Sequence, residues 1–204
     1  ANKHCYEPVR ERVSLSGEWE TTLGACNLPG TTDENRLGSG EHPKNVTHQL
    51  TRTHPFYGKV IYEKDIIIPD NWKGKRMVLF MERTKPSTLW VDDDSIGSFG
   101  HIYAPHTYLL PELAGGKHRI KIRIDNSKDA VPKEIQGSHA WTDGTQTNWN
   151  GILGDFHIEA TPHTYIKDVQ AYPSVKERKT AVILHINSSS KQKGTIKIES
   201  SSWN

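Results

Sequence analysis

Several absences narrow what this chain can be. No apolar run approaches the roughly 20 residues a helix needs to cross a bilayer, so no helical membrane span is expected. Neither sign of charge dominates: 26 basic against 24 acidic residues leave a net +2. That balance gives no electrostatic reason to expect nucleic acid or an anionic membrane as partner. Cysteine is scarce, with only Cys5 and Cys26. Two thiols make no disulfide framework, so the pair reads as unpaired, with a bridge as the alternative. No segment longer than about ten residues holds a helical period. The opening ANKHCYEP is polar and is no signal peptide, although a processed chain would look the same. There is no Gly-x-Ser-x-Gly elbow and no phosphate-cradling glycine loop.

Metal signatures are equally thin. His42, His48 and His54, and the pair His101 and His106, fit neither a helical His pair nor a Cys/His zinc site. They read as solvated or core residues. Asp92, Asp93 and Asp94 supply three carboxylates, whereas Ca²⁺ takes six to eight oxygens, so this run reads as a turn. No metal and no cofactor is expected.

What is present is β pattern. LSGEWETTL alternates Leu15, Gly17, Trp19, Thr21 and Leu23 on one face. GKVIYEKDIIIP reads as a long strand ending at Pro69, and RMVLFME as a central strand. TLWVDDDSIGSF has two β-like runs around an Asp-rich turn, a hairpin signal. HTYLL, HRIKIRID and DFHIEAT follow, the second alternating Ile120, Ile122 and Ile124 with basic residues. Short strands joined by Gly- and Pro-containing turns predict an all-β sandwich or jelly roll. Long connections at 24–55 and 126–155 are uncommon in compact domains unless they bind something. After ATPHTYIKDV come three more strand patterns, IKDVQAYPSV, TAVILHINSS and GTIKIESSSW, with apolar positions at Val182, Leu184 and Ile186. They resemble the beginning of an immunoglobulin-like sandwich, which takes about 100 residues and seven strands. The expected organisation is an extension over 1–13, a jelly roll over 14–162 and a partial immunoglobulin-like sandwich over 163–204. A longer parent protein is inferred, with addition of the last strands to the first sandwich as the alternative.

The order of motifs carries a family resemblance. SLSGEWE, LPGTTDENRLG, FYGKVIYEKDIIIPDNWKGKRMVLFMERTKPSTLWVDDDSIGS and TQTNWNGILGDFHIEA together resemble the N-terminal sugar-binding-like domain of glycoside hydrolase family 2, the β-galactosidase and β-glucuronidase family. The likeness covers roughly residues 14–162. It implies a jelly roll, then an immunoglobulin-like sandwich, then a (β/α)8 barrel with two catalytic glutamates working by retaining double displacement. A barrel takes about 250 residues, so no catalytic residue is expected in this chain, and alone it should hydrolyse nothing. The implied partners are a β-glycoside and the chain's own barrel domain. A bacterial protein of the periplasm or exterior is the implied setting.

The stretch Thr145–Phe156, TQTNWNGILGDF, is the candidate site. Sugar recognition needs amides and carboxylates for hydroxyls, and an aromatic face for the C–H side of the ring. Asp143, Gln146, Asn148, Trp149 and Asn150 supply that chemistry together, and His139 lies just before them. Gly151 and Gly154 are expected to let the chain turn before DFHIEA. The competing reading is structural: amides also satisfy backbone groups in long loops, and Trp149 could plug the sandwich. LPGTTDENRLG, with Asp33, Glu34, Asn35 and Arg36, reads first as a self-bonded turn. Asn and Gln rather than Arg or Lys lean the site toward neutral sugars. An independent carbohydrate-binding module, using Trp72, Trp90, Trp141 and Trp149, and a purely structural sandwich remain open alternatives.

Overall fold

The period-two alternation read from the sequence becomes two antiparallel sheets. The computed structural model describes residues 10–39, 52–142 and 145–201. Strands β1 (Glu11–Ser14), β4 (Gly30–Thr31), β6 (Arg76–Thr84), β9 (His106–Leu109) and β11 (Gly151–Thr161) form a five-stranded sheet. Its order is β1-β11-β6-β9, with β4 also paired to β11. Strands β2 (Gly17–Thr21), β3 (Cys26–Leu28), β5 (Lys59–Ile68), β7 (Ser87–Val91), β8 (Asp94–Phe99) and β10 (Gly116–Asp125) form a six-stranded sheet in the order β3-β2-β5-β10-β7-β8. Among the described residues there is no α-helix, only three short 3-10 turns.

The inner faces pack on each other. Ile120, Ile122 and Ile124 on β10 are fully buried, while Lys121 and Arg123 between them are not. Trp19 on β2 lies 5.3 Å from Phe156 on β11, so the core bridges the two sheets. Each such side chain contributes roughly 1.5–3 kcal/mol when buried. The Asp run closes the β7–β8 hairpin: Asp92 and Asp93 have φ of 49° and 71°. Both central residues are left-handed, the backbone of a type I′ turn, which Asp tolerates better than most residues.

The extension is shorter than expected, because β1 begins at Glu11 and pairs with β11. Glu11 also anchors the PDNWKG turn. It accepts from Trp72 Nε1 at 2.8 Å and from Asn71 Nδ2 at 3.1 Å, and it pairs with Lys75.

Residues 161–204 form a second unit. There β12 (Tyr165–Ser174) and β13 (Lys179–Asn187) make an antiparallel hairpin. The third expected strand, GTIKIESSSW, is not a strand over its described residues. Of the expected apolar positions, Val182 and Leu184 are half-buried and Ile186 is exposed. A two-stranded ribbon has too little face to bury them. Cys26 is fully buried, its thiol pushed up to about 11 by desolvation first and by Glu34 second. Cys5, His42 and His48 lie outside the described residues.

Candidate functional site

The site is built where the shortest strand meets the longest. Thr31 and Gly30 on β4 pair with Gly151 and Ile152 on β11. A Cβ on Gly151 would stand 2.2 Å from the Gly30 carbonyl, and its φ is 143°. Both facts require glycine there. The glycines expected to turn the chain therefore lie inside β11. Gly154 serves a similar close approach, since a Cβ on it would collide with the Glu82 carboxylate. The consequence is that LPGTTDENRLG is held against TQTNWNGILGDF.

The first of these segments is a self-bonded turn, as its composition suggested. Glu34 Oε2 accepts from the Thr31 amide at 2.9 Å and from Thr31 Oγ1 at 3.1 Å. Thr31 Oγ1 in turn accepts from the Glu34 amide at 3.1 Å, a capping-box exchange. Asn35 closes the turn by pairing with the Asn27 amide and carbonyl. Asp33, however, points out of the turn. Its Oδ2 accepts from Arg52 Nε at 2.5 Å and its Oδ1 from the His54 amide at 2.8 Å. Arg52, 7% exposed, reaches on to Asn148 Oδ1 at 2.7 Å.

Around these groups is a cavity of about 260 Å³, lined by Thr31, Asp33, Glu34, Arg52, Thr53, Gln146 and Trp149. Gln146 and Trp149 are half-buried, and Gln146 holds a left-handed backbone at φ 56°. Beside Trp149 stands Lys85, 4% exposed, with Nζ 4.5 Å from the indole centroid and donating to the Thr147 carbonyl. Desolvation first, and Arg52 second, lower its amine to about 8.

The structure thus brings Gln146 and Trp149 to one cavity, with Asn148 directly behind it. Asn148 is 1% exposed, its amide oxygen taken by Arg52 and its carbonyl by Asn126 Nδ2 at 2.6 Å. Asn150 is fully buried and turned away from the cavity. It accepts from Tyr62 and donates to Gly58, Ile124 and Asn126, tying three segments together. That is a scaffold geometry rather than a ligand-facing one. His139 is exposed and outside the cavity, its carbonyl accepting from Thr145 Oγ1. Asp143 lies outside the described residues. Trp72 and Trp141 are buried, so they form no open aromatic platform of the kind a stand-alone binding module uses. Trp90 is half-buried with Arg123 over its ring.

Sequence reasoning missed Arg52 and Lys85 as members of this region. Arg52 sits in the long connection before β5 and Lys85 in the short one between β6 and β7, neither with a motif of its own, and the tertiary pairing of β4 with β11 reveals them. The carboxylates, guanidinium, amide and indole around the cavity are the groups that engage a polyhydroxyl ring. Among the described residues no three His, Cys, Asp or Glu cluster as metal ligands.

No protein-family model matches the chain. In structure it is similar to a beta-glucuronidase of Faecalibacterium prausnitzii, with TM-score 0.63 and 18% identity over 90% of this chain and 36% of that one. A beta-glycosidase from Bacteroides vulgatus gives TM-score 0.67 and 19% identity, over 89% of this chain and 25% of that one. A beta-D-mannosidase from Dictyoglomus thermophilum gives 0.64 and 18%, over 86% of this chain and 26% of that one. The fold is therefore that of a β-sandwich found at the N-terminal part of family 2 glycosidases. The chain spans about a third or less of the length of these proteins.

Proposed function

We propose that this chain is the N-terminal, non-catalytic part of a retaining family 2 glycoside hydrolase. Its sandwich supports a (β/α)8 barrel that carries the acid/base and nucleophile carboxylates. The cavity at the β4–β11 junction contributes contacts to the sugar. The observation that carries this reading is the convergence of Asp33, Glu34, Arg52, Gln146 and Trp149 on that cavity, on a fold shared with glycosidases. Gln146 offers an amide to hydroxyls, and Trp149 offers an apolar face. The cation of the cavity, Arg52, is already engaged by Asp33 and Asn148. That favours a neutral sugar over a uronate, which would need an uncommitted guanidinium.

The test is paired. Chromogenic β-glycosides are offered to this chain and to the full-length product of its gene, with and without Gln146→Ala. Turnover by the full-length protein alone, reduced by the substitution, supports the proposal. Turnover by this chain alone overturns it. Undiminished turnover by the full-length variant leaves the sandwich as scaffold only.

A further inference from the structure

The segment 147–151 is held at nearly every residue, but by groups of different kinds. Asn148 is held by Arg52 and Asn126, the Asn150 carbonyl by the Thr32 amide, and the Gly151 carbonyl by Thr84 Oγ1. These contacts fix the backbone and the inward amides. The indole of Trp149, the aromatic wall of the cavity, is met instead by Lys85. The same ammonium donates to the Thr147 carbonyl, two residues before the indole and next to the left-handed Gln146. Lys85 itself does not line the cavity.

This is an unfavourable place for a lysine. Its side chain is buried, no carboxylate among the described residues is paired with it, and the charge that acts on it is another cation, Arg52, itself paired with Asp33. A buried ammonium partnered only by a carbonyl and a ring costs more than an apolar side chain of the same size. Fold stability alone would favour methionine here. The gain from the cation is directional: it binds an indole face and a carbonyl at once, and so fixes the ring against the backbone.

We infer that Lys85 is a positioning residue, which sets the Trp149 indole as a preformed wall for a pyranoside ring. The inference rests on the reading of the cavity as a sugar site. Its first test does not. Quenching by acrylamide of the Trp149 fluorescence, assigned by difference against Trp149→Phe, reports how firmly the ring is held. In Lys85→Met the ring should be quenched at least twofold more readily, while the domain unfolds at a higher temperature. Lys85→Gln, which keeps a donor for the Thr147 carbonyl but no charge, should quench like the Met variant. A titration of the wild-type chain needs no variant: quenching should rise as pH passes about 8, where the amine loses its proton. A lysine that merely fills space would leave the Trp149 quenching of Lys85→Met and Lys85→Gln like that of the wild type, whatever the change in stability. That result, or a flat pH titration, overturns the inference.

The second test uses the full-length product and 4-nitrophenyl β-galactoside or β-glucoside. KM should rise about tenfold in Lys85→Met with little change in kcat, because a misplaced wall weakens binding of ground state and transition state alike. Altered quenching with unaltered kinetics would keep Lys85 as the holder of Trp149 and overturn the sugar-site reading instead.

Discussion

Two regions of the sandwich bury a titratable group whose proton affinity is lowered by desolvation, and they differ in what surrounds it. At one, His106 on β9 is fully buried and lowered to about 4. Its Nδ1 meets Ser87 Oγ at 2.7 Å and its Nε2 meets the His101 carbonyl at 3.0 Å. Ser87 also meets the Tyr108 hydroxyl at 2.8 Å. Both ring nitrogens have a protein partner, and the ring is fully buried. At the other, Lys85 stands beside a cavity with a second cation for company. A serine and a histidine in hydrogen-bond contact look like a nucleophile and base, yet full burial makes this pair structural. The shifted group worth following is the poorly partnered one next to open space.

That comparison can be broken in four ways. The largest effect is expected from Arg52→Ala, which leaves Asp33 facing the cavity without its guanidinium. Removing one partner of a buried pair costs about 3–5 kcal/mol, read from the denaturant midpoint. A loss under about 1 kcal/mol would mean that the pair does not hold the β4 turn in place.

His106 comes next. Its lowered folded-state affinity means that the unfolded chain binds more protons between pH 6.5 and about 4. Stability therefore rises with pH across that window and falls by roughly 3 kcal/mol as pH drops through it. His106→Gln should flatten this slope in pH-dependent melts and leave glycoside turnover by the full-length protein unchanged.

Lys85 has the same sign in a different window. Because its amine is lowered from 10.5 to about 8, stability should rise as pH climbs from about 8 toward 10.5. In Lys85→Met that rise should vanish and neutral-pH stability should increase by about 1–3 kcal/mol. Retention of the alkaline rise in the variant would assign it to another group.

The smallest effect is expected at Gln146, whose left-handed backbone is strained for a glutamine and free of strain for glycine. Gln146→Gly should stabilise the chain by about 0.5–1 kcal/mol, measured by thermal melting, while raising KM of the full-length enzyme. Destabilisation would show that the amide side chain holds the loop.

The strands were readable because alternation of apolar and polar residues survives in β10, and because β5 and β7 carry runs of β-branched and aromatic residues. The Asp92–Asp93 turn was readable for the same reason: two runs of β pattern flank residues that accept a left-handed backbone. Gly151 and Gly154 were misread because a glycine signals freedom without saying why. Here the reason is a neighbouring carbonyl and a carboxylate from distant segments. Half of the cavity was visible, since Gln146 and Trp149 announce sugar-like chemistry by type. Asn150 has the same type and faces the core, a distinction set by which side of the chain Tyr62 and Asn126 approach. Arg52 and Lys85 were invisible, because their roles depend on segments far away in sequence. GTIKIESSSW shows the converse: a strand pattern that forms no strand over its described residues.

The contact between Arg52 and Asn148 joins residues 96 positions apart. The cavity's two walls thus belong to opposite ends of the sandwich's chain, and closing so long a loop carries an entropic penalty that local contacts do not repay. On a ribosome, the first wall waits unpartnered until nearly the whole sandwich has been synthesised. The pocket is accordingly a late product of folding, and it records that both ends of the domain have come home.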